Sequence, residues 1–321
     1  MDVEHALLLV AFGFAFLNGF NDGGALLAIG LGVRTFSPLT GLLVLSAAVM
    51  VAPVVLGTQV ATTLTSRLVG LEGPSGQLAV LVAVTVAVAV AFSLSRRGLP
   101  TSLTLALVGA IAGVGAGSGL PVAWPTIGIV LAFAALAPVV GLLGGWGMVL
   151  LLARTGSRAP LHRQVRTWHT LAFGGQCLAY GANDGQKMLA VFAVAAGTVG
   201  VDRSVGVVGW QLLVIGVLFL LGAMVGLPRF AGTIGTGVVP TQPPAAAITE
   251  LSAAGVVLAS GAFGSPVSMT QAISGALVGT AMPRGHGRVR WRAAARIGGA
   301  WLITLPATFA LAAAGAAVLV R

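Results

Sequence analysis

The sequence predicts an all-α integral membrane protein, an inverted-topology repeat of two five-segment halves with broken or re-entrant helices. Three observations predict it. Charge is scarce: 7% of the 321 residues are charged and 57% are hydrophobic, where a soluble domain carries roughly 25% charged residues. Apolar runs are long: 77–94 and 126–153 contain no charged residue, and about 20 apolar residues cross a bilayer core. The chain also repeats itself. GFNDGGALLA at 19–28 returns as GANDGQKMLA at 181–190, and LPTSLTLALVGAIAGV at 99–114 returns as SPVSMTQAISGALVGT at 265–280. The offsets, 162 and 166 residues, are close to half the chain.

Ten hydrophobic segments follow in order: 6–32, 38–58, 77–95, 100–117, 126–153, 168–198, 205–226, 243–263, 265–281 and 293–320. The first and sixth are each interrupted by an Asn-Asp pair. The segments at 100–117 and 265–281 are short and rich in Gly, Ser and Thr, as in half-helices or re-entrant hairpins. The 47 glycines suit close helix packing. With the N-terminus outside and one crossing per segment, the inner side holds thirteen arginines: Arg34, Arg96, Arg97, Arg154, Arg158, Arg163, Arg166, Arg229, Arg284, Arg288, Arg290, Arg292 and Arg296. The outer side holds three, Arg67, Arg203 and Arg321. The positive-inside rule selects this orientation, with both termini extracytoplasmic. Five segments per half is an odd number, so the second half enters from the opposite face. The expected organisation is membrane repeat 1 at 1–153, a basic cytoplasmic linker at 154–167, and an inverted membrane repeat 2 at 168–321. The start MDVEH lacks the basic region of a signal peptide, so the first helix is expected to be retained.

Several function classes are disfavoured. The net charge of +10 lies in loop arginines, so it speaks for membrane orientation and not for nucleic acid. The single cysteine, Cys177, permits no intrachain disulfide. The sequence shows no metal-ligand spacing of His, Cys and carboxylates and no activated nucleophile, so an enzyme is not expected. His5, His162, His169 and His286 lie near termini or loops, apart from the motifs. Trp124, Trp146, Trp168, Trp210 and Trp291 are expected at membrane interfaces. The basic stretches at 154–166 and 284–296 suit anionic lipid or a cytoplasmic regulatory protein, with solvated inner loops the simpler reading. A homo-oligomer is a further candidate state. Abundant Ala, Gly, Val and Arg with one Lys fit a bacterial source.

Four ionisable residues remain at membrane depth: Asp22, Asp184, Lys187 and Glu250. A charge at the bilayer centre costs about 2.5–3.5 kcal/mol on insertion scales, so such residues face a cavity or pair. Asn21-Asp22 and Asn183-Asp184 read as caps of broken helices, and a broken helix inside a membrane lines protein or water. Pro100-Thr-Ser102-Leu-Thr104 and Pro266-Val-Ser268-Met-Thr270 place hydroxyls in the first turn of a helix. Free N–H groups and the helix dipole there form an anion cradle. Two such cradles with two carboxylates imply a small oxyanion bound together with a cation or proton. Lys187 is either a fixed charge beside that anion or the neutraliser of Asp184 three residues earlier. Glu250 is either a coupling carboxylate or a structural partner. Duplicated polar breaks of this kind point to the binding site of a secondary transporter. A passive channel is the rival reading.

These motifs together resemble the inorganic phosphate transporter (PiT) family. The resemblance rests on GFND at 19–22, PTSLT at 100–104, GANDGQK at 181–187, TIGTGV at 233–238, Glu250-Leu-Ser, and GSPVSMTQAISGALVG at 264–279, and covers nearly the whole chain. It implies an inverted-repeat fold and import of inorganic phosphate with co-transported Na⁺ or H⁺ and no cofactor. It also implies a site formed by Asn21, Asn183, Ser102, Thr104, Ser268 and Thr270. Asp22, Asp184 and Glu250 would couple the cation, with Lys187 and Gln186 as charge partners. A Na⁺ ion would take Asn21, Asp22, Asn183 and Asp184. The chain departs from the family pattern at Leu103, Leu105, Met269 and Gln271, where P-x-S-T-T-H is usual, and at Gly24-Ala25, Tyr180 and Thr62. The lost oxygen ligands move the expectation toward H⁺, and leave sulfate or another tetrahedral oxyanion as the alternative substrate.

Overall fold

The computed structural model describes residues 2–30, 33, 35–71, 73–97, 101–154, 161–200, 204–234, 239 and 242–320. Among them, eleven helical elements run in order. They are α1 (Val3–Gly30), α2 (Pro38–Leu56), α3 (59–67), α4 (Gly73–Arg96), α5 (Leu103–Ser118), α6 (Trp124–Arg154), α7 (161–195), α8 (Gly209–Ile234), α9 (Pro243–Ala262), α10 (Met269–Ala281) and α11 (Trp291–Leu319). Seven of these are long and apolar enough to cross a membrane: α1, α2, α4, α6, α8, α9 and α11. With seven such helices, the chain is a multi-pass membrane protein.

Three features depart from the sequence expectation. The Asn-Asp pairs do not cap broken helices. Each lies in a five-residue π turn, Gly19–Gly23 in α1 and Gly181–Gly185 in α7, and the flanking backbone stays helical. A π turn is a local widening that frequently marks functional sites. Second, α3 was not anticipated. Its residues Gln59–Thr62 run into a further π turn, Thr63–Arg67, where a loop was expected. Third, α7 begins at Leu161, so the basic linker is helical in its second part. α5 and α10, expected to be short, have 16 and 13 residues. At 1.5 Å per residue they reach about 24 and 20 Å, short of a hydrocarbon core of about 30 Å. Of the expected features, Arg34, Pro100, Arg158, Arg203, Arg321 and most of TIGTGV lie outside the described residues.

The halves interlock. α5 packs along α11, and α10 along α6; α1 packs on α8, and α7 on α2; α4 contacts α5, and α9 contacts α10. Exchanging the halves reproduces the same set of partners. Glycine makes the closest crossings. A Cβ on Gly275 of α10 would stand 1.9 Å from the Pro138 carbonyl oxygen of α6, and one on Gly141 would stand 2.4 Å from the Ala272 oxygen. Gly109, Gly113 and Gly117 meet α11 in the same way. Lipid gives no hydrophobic drive between helices, so this close backbone contact is what holds them together.

Candidate functional site

The two π turns and the N-termini of α5 and α10 meet in one buried cluster. Ser102 and Ser268 are the N-cap residues of α5 and α10, both with extended backbone. The Thr104 hydroxyl in the first turn of α5 donates 2.9 Å to the carbonyl of Val267, just before α10. The two N-termini, 163 residues apart in sequence, are therefore joined.

Each Asn clamps one N-terminal lead. Asn21 Nδ2 donates to the Thr101 carbonyl at 3.0 Å, and Asn21 Oδ1 accepts from Ser95 at 2.9 Å. Asn183 Nδ2 donates to the Ser265 carbonyl, and Asn183 Oδ1 accepts from the Val267 amide, both at 3.1 Å. The two clamps differ in partner: Asn21 Oδ1 takes a side chain from α4, and Asn183 Oδ1 takes a backbone amide of the lead itself.

The carboxylates differ. Asp22 receives the Asn21 amide at 2.7 Å and the Tyr180 hydroxyl at 3.2 Å, both neutral donors. Asp184 is paired with Lys187, Nζ to Oδ1 2.6 Å. Lys187 also donates to Thr104 Oγ1 and to the Val267 carbonyl. An ammonium has three protons, and all three are taken. Asp22 lies close enough to Asp184 and Lys187 to feel both charges. The pairing with Asp184 is the contact that the second sequence reading of Lys187 requires.

The hydroxyls divide similarly. Ser102 Oγ accepts the Leu105 amide and caps α5. Ser268 makes no such cap; its hydroxyl bonds Thr270 at 2.8 Å. Asn21, Asp22, Ser102, Thr104, Asn183, Asp184, Lys187, Ser268 and Thr270 are all at most 3% exposed, so the cluster is occluded.

Two expected members lie elsewhere. Gln186 is not a charge partner: its Oε1 accepts the Val60 and Ala61 amides at 2.8 and 3.2 Å and caps α3, while its Nε2 donates to Ala182 O. Glu250 stands against His169, Oε1 to Nε2 3.2 Å, with both side chains fully buried. Two participants were missed. Tyr180 had been noted only as a replacement, and the signal for it was its place one residue before the second Gly-x-Asn-Asp. His169, at the start of the sixth segment and near a loop, reads from the sequence as unrelated to the motifs; a helical register of α7 carried back from Gly181 puts it on the same continuous helix as Asp184.

The fold and site define a multi-pass helical membrane protein with an occluded polar centre at paired short-helix N-termini. The chain belongs to the phosphate transporter family, whose model matches residues 18–174 and 161–312. A probable low-affinity inorganic phosphate transporter of Mycobacterium tuberculosis (strain H37Rv) is 32% identical over 95% of this chain and 76% of its own length. A protein of the same description from Mycobacterium leprae is 30% identical over 94% and 74%, and one from Bacillus subtilis 25% over 96% and 94%. A solved structure entitled "The sodium-dependent phosphate transporter" superposes with a TM-score of 0.87 over 99% of both chains at 21% identity, which is a likeness of fold.

Proposed function

We propose that this protein imports inorganic phosphate across the cell membrane by symport with a cation, and that the cation is H⁺. The observation that carries the reading is the joined N-termini of α5 and α10 beside two buried carboxylates, of which Asp184 alone has a cationic partner. Helix N-termini with free N–H groups hold oxyanions. The Ser268 and Thr270 hydroxyls bond each other at the start of α10 and are the donors freest to turn toward an anion. Ser102, Thr104, Asn21 and Asn183 shape the walls. Phosphate near neutral pH carries a P–OH that donates a hydrogen bond, and Asp22 is an acceptor without a counter-ion. Sulfate has no such proton, which favours phosphate.

Coupling follows from charge. A dianion entering a negative-inside cell costs about 4.6 kcal/mol per 100 mV, so accumulation needs accompanying cations. Asp22 is the coupling carboxylate, while Asp184 is held by Lys187. For Na⁺ at Asn21, Asp22, Asn183 and Asp184, each carboxamide oxygen already accepts one hydrogen bond, which leaves it a single lone pair to offer. A proton needs only a carboxylate. The two halves act as inverted repeats, 1–153 and 168–321, with the termini outside, as the arginine distribution supports.

Radiolabelled phosphate uptake into proteoliposomes tests this. Inside-alkaline gradients should drive accumulation, and unlabelled sulfate should compete poorly. Accumulation driven by Na⁺ alone would overturn the choice of ion. Equal competition by sulfate would overturn the choice of anion.

A further inference from the structure

His169 and Glu250 lie away from the phosphate cluster and have their own surroundings. His169 precedes Asp184 by 15 residues along α7, roughly 22 Å at 1.5 Å per residue. That displacement is toward the end of α7 that carries Arg163 and Arg166. Glu250 is the eighth residue of α9. Both side chains are 0% exposed. The His169 Nε2–Glu250 Oε1 approach of 3.2 Å is close without hydrogen-bond alignment, and neither Glu250 oxygen has a hydrogen-bond partner. On its other edge, His169 Nδ1 meets the Thr35 hydroxyl at 2.8 Å. Phe36 stacks on the imidazole at 5.3 Å and 12°, and Phe173 closes on Phe36 at 4.6 Å. Gly30 ends α1 against the pair; a Cβ there would fall 2.3 Å from His169 Nε2 and 3.1 Å from Glu250 Oε1. His169 thereby bridges the two halves, with Thr35 and Gly30 from the first and Glu250 from the second.

We propose that His169 and Glu250 form a proton-linked inner gate, shut when the pair shares one proton. This rests on the transporter reading and names a device for its release step. With one shared proton, the pair is neutral overall in either form. The O–H bond of Glu250 breaks as the N–H bond of His169 forms, and the proton stays within the pair. Losing that proton leaves a lone carboxylate, and adding a second leaves a lone imidazolium. Either puts an unpaired charge in a dry site, which costs several kcal/mol and favours opening to water. Among the described side chains, few neighbours compete. On α7 the other ionisable groups nearby are Cys177, which feels Glu250, and Arg166, which reaches the Thr35 carbonyl at 3.4 Å. Asp184, in the π turn of α7, is paired with Lys187. The described residues of α1 at this end, of α2 and of α10 carry no ionisable group, and α6 carries only its terminal Arg154.

The test is the initial rate of phosphate uptake into proteoliposomes at a fixed external pH with the internal pH varied, wild type and variants being compared at each internal pH so that they share the same gradient. Phosphate–phosphate exchange at equal pH is measured alongside. Wild type should show a limb approaching about tenfold per pH unit for a one-proton step. His169→Gln, which keeps a hydrogen-bonding side chain, should flatten that limb while preserving exchange and the phosphate KM. Glu250→Gln should flatten it equally, and the double variant should add nothing. A flat wild-type profile, or a His169→Gln profile like wild type, overturns the gate. Equal loss of uptake and exchange with a raised KM makes the pair part of the anion site and also overturns it. The ion that drives wild-type accumulation is read separately. A Na⁺-driven protein would sink the proton-symport reading and leave the gate to be judged by its own profile.

Discussion

Replacing Lys187 with Met removes three donated bonds at once, to Asp184, Thr104 and Val267. Methionine nearly preserves the volume, so packing changes little. What remains is a carboxylate at 1% exposure with no counter-charge. Breaking one side of a buried ion pair costs about 3–5 kcal/mol, whereas removing both charges together is often neutral. Lys187→Met is therefore expected to lower stability by that amount, and Lys187→Met/Asp184→Asn to recover most of it. The recovery alone, about 2–4 kcal/mol, is a lower bound on the coupling and reaches the upper end of contacting pairs. The assay is reversible unfolding in mixed micelles, with phosphate binding measured on the double variant. Because all three ammonium protons are already committed, the double variant should bind phosphate within about threefold of wild type, under 0.7 kcal/mol. Stability within about 0.5 kcal/mol of wild type for the single variant would refute the reasoning. So would loss of phosphate binding in a stable double variant, since Lys187 would then be the anion's ligand.

Other expectations follow from the same contacts. Asp22→Asn should abolish gradient-driven accumulation while the protein remains inserted and folded; near-normal accumulation would remove Asp22 from coupling. Ser268→Ala and Thr270→Val should each weaken phosphate affinity about tenfold, the worth of one hydrogen bond to a charged group, and leave the ion dependence alone, as read by KM against ion titration. Gln186→Leu should uncap α3 at a cost of about 1–2 kcal/mol, seen as a lower unfolding midpoint. Gly275→Leu should drive α10 off α6, because the added Cβ meets the Pro138 carbonyl at 1.9 Å; folded yield should collapse. Gly13→Ala, with open space around it, should be silent in the same assay.

Much of the site was legible because membrane burial makes polarity conspicuous. Asn21-Asp22 and Asn183-Asp184 are costly in lipid, and their repetition half a chain apart marked them before any contact was known. The hydroxyls of Ser102 and Ser268 were likewise placed at helix starts, where they are found. What failed was local backbone form. Asn and Asp next to Gly suggest a cap, but here two glycines in five residues let the helix widen into a π turn, and no hydrophobic period separates those outcomes. Segment 59–67 was invisible for another reason: its nine residues are too few to signal a helix, and its cap comes from Gln186, over 120 residues away. His169 was misjudged because Arg163, Arg166 and Trp168 around it read as a loop. Only the neighbouring α9 reveals that one face of this helical stretch turns inward to Glu250.

The central claim is that phosphate moves together with a proton taken up at the buried carboxylate of Asp22. The most direct measurement is phosphate accumulation in proteoliposomes bearing wild-type protein, with H⁺ and Na⁺ gradients imposed one at a time. The account predicts accumulation under the inside-alkaline gradient, its loss on dissipating that gradient, and no requirement for Na⁺. Equilibration without accumulation under either gradient would contradict it and make the protein a passive pathway.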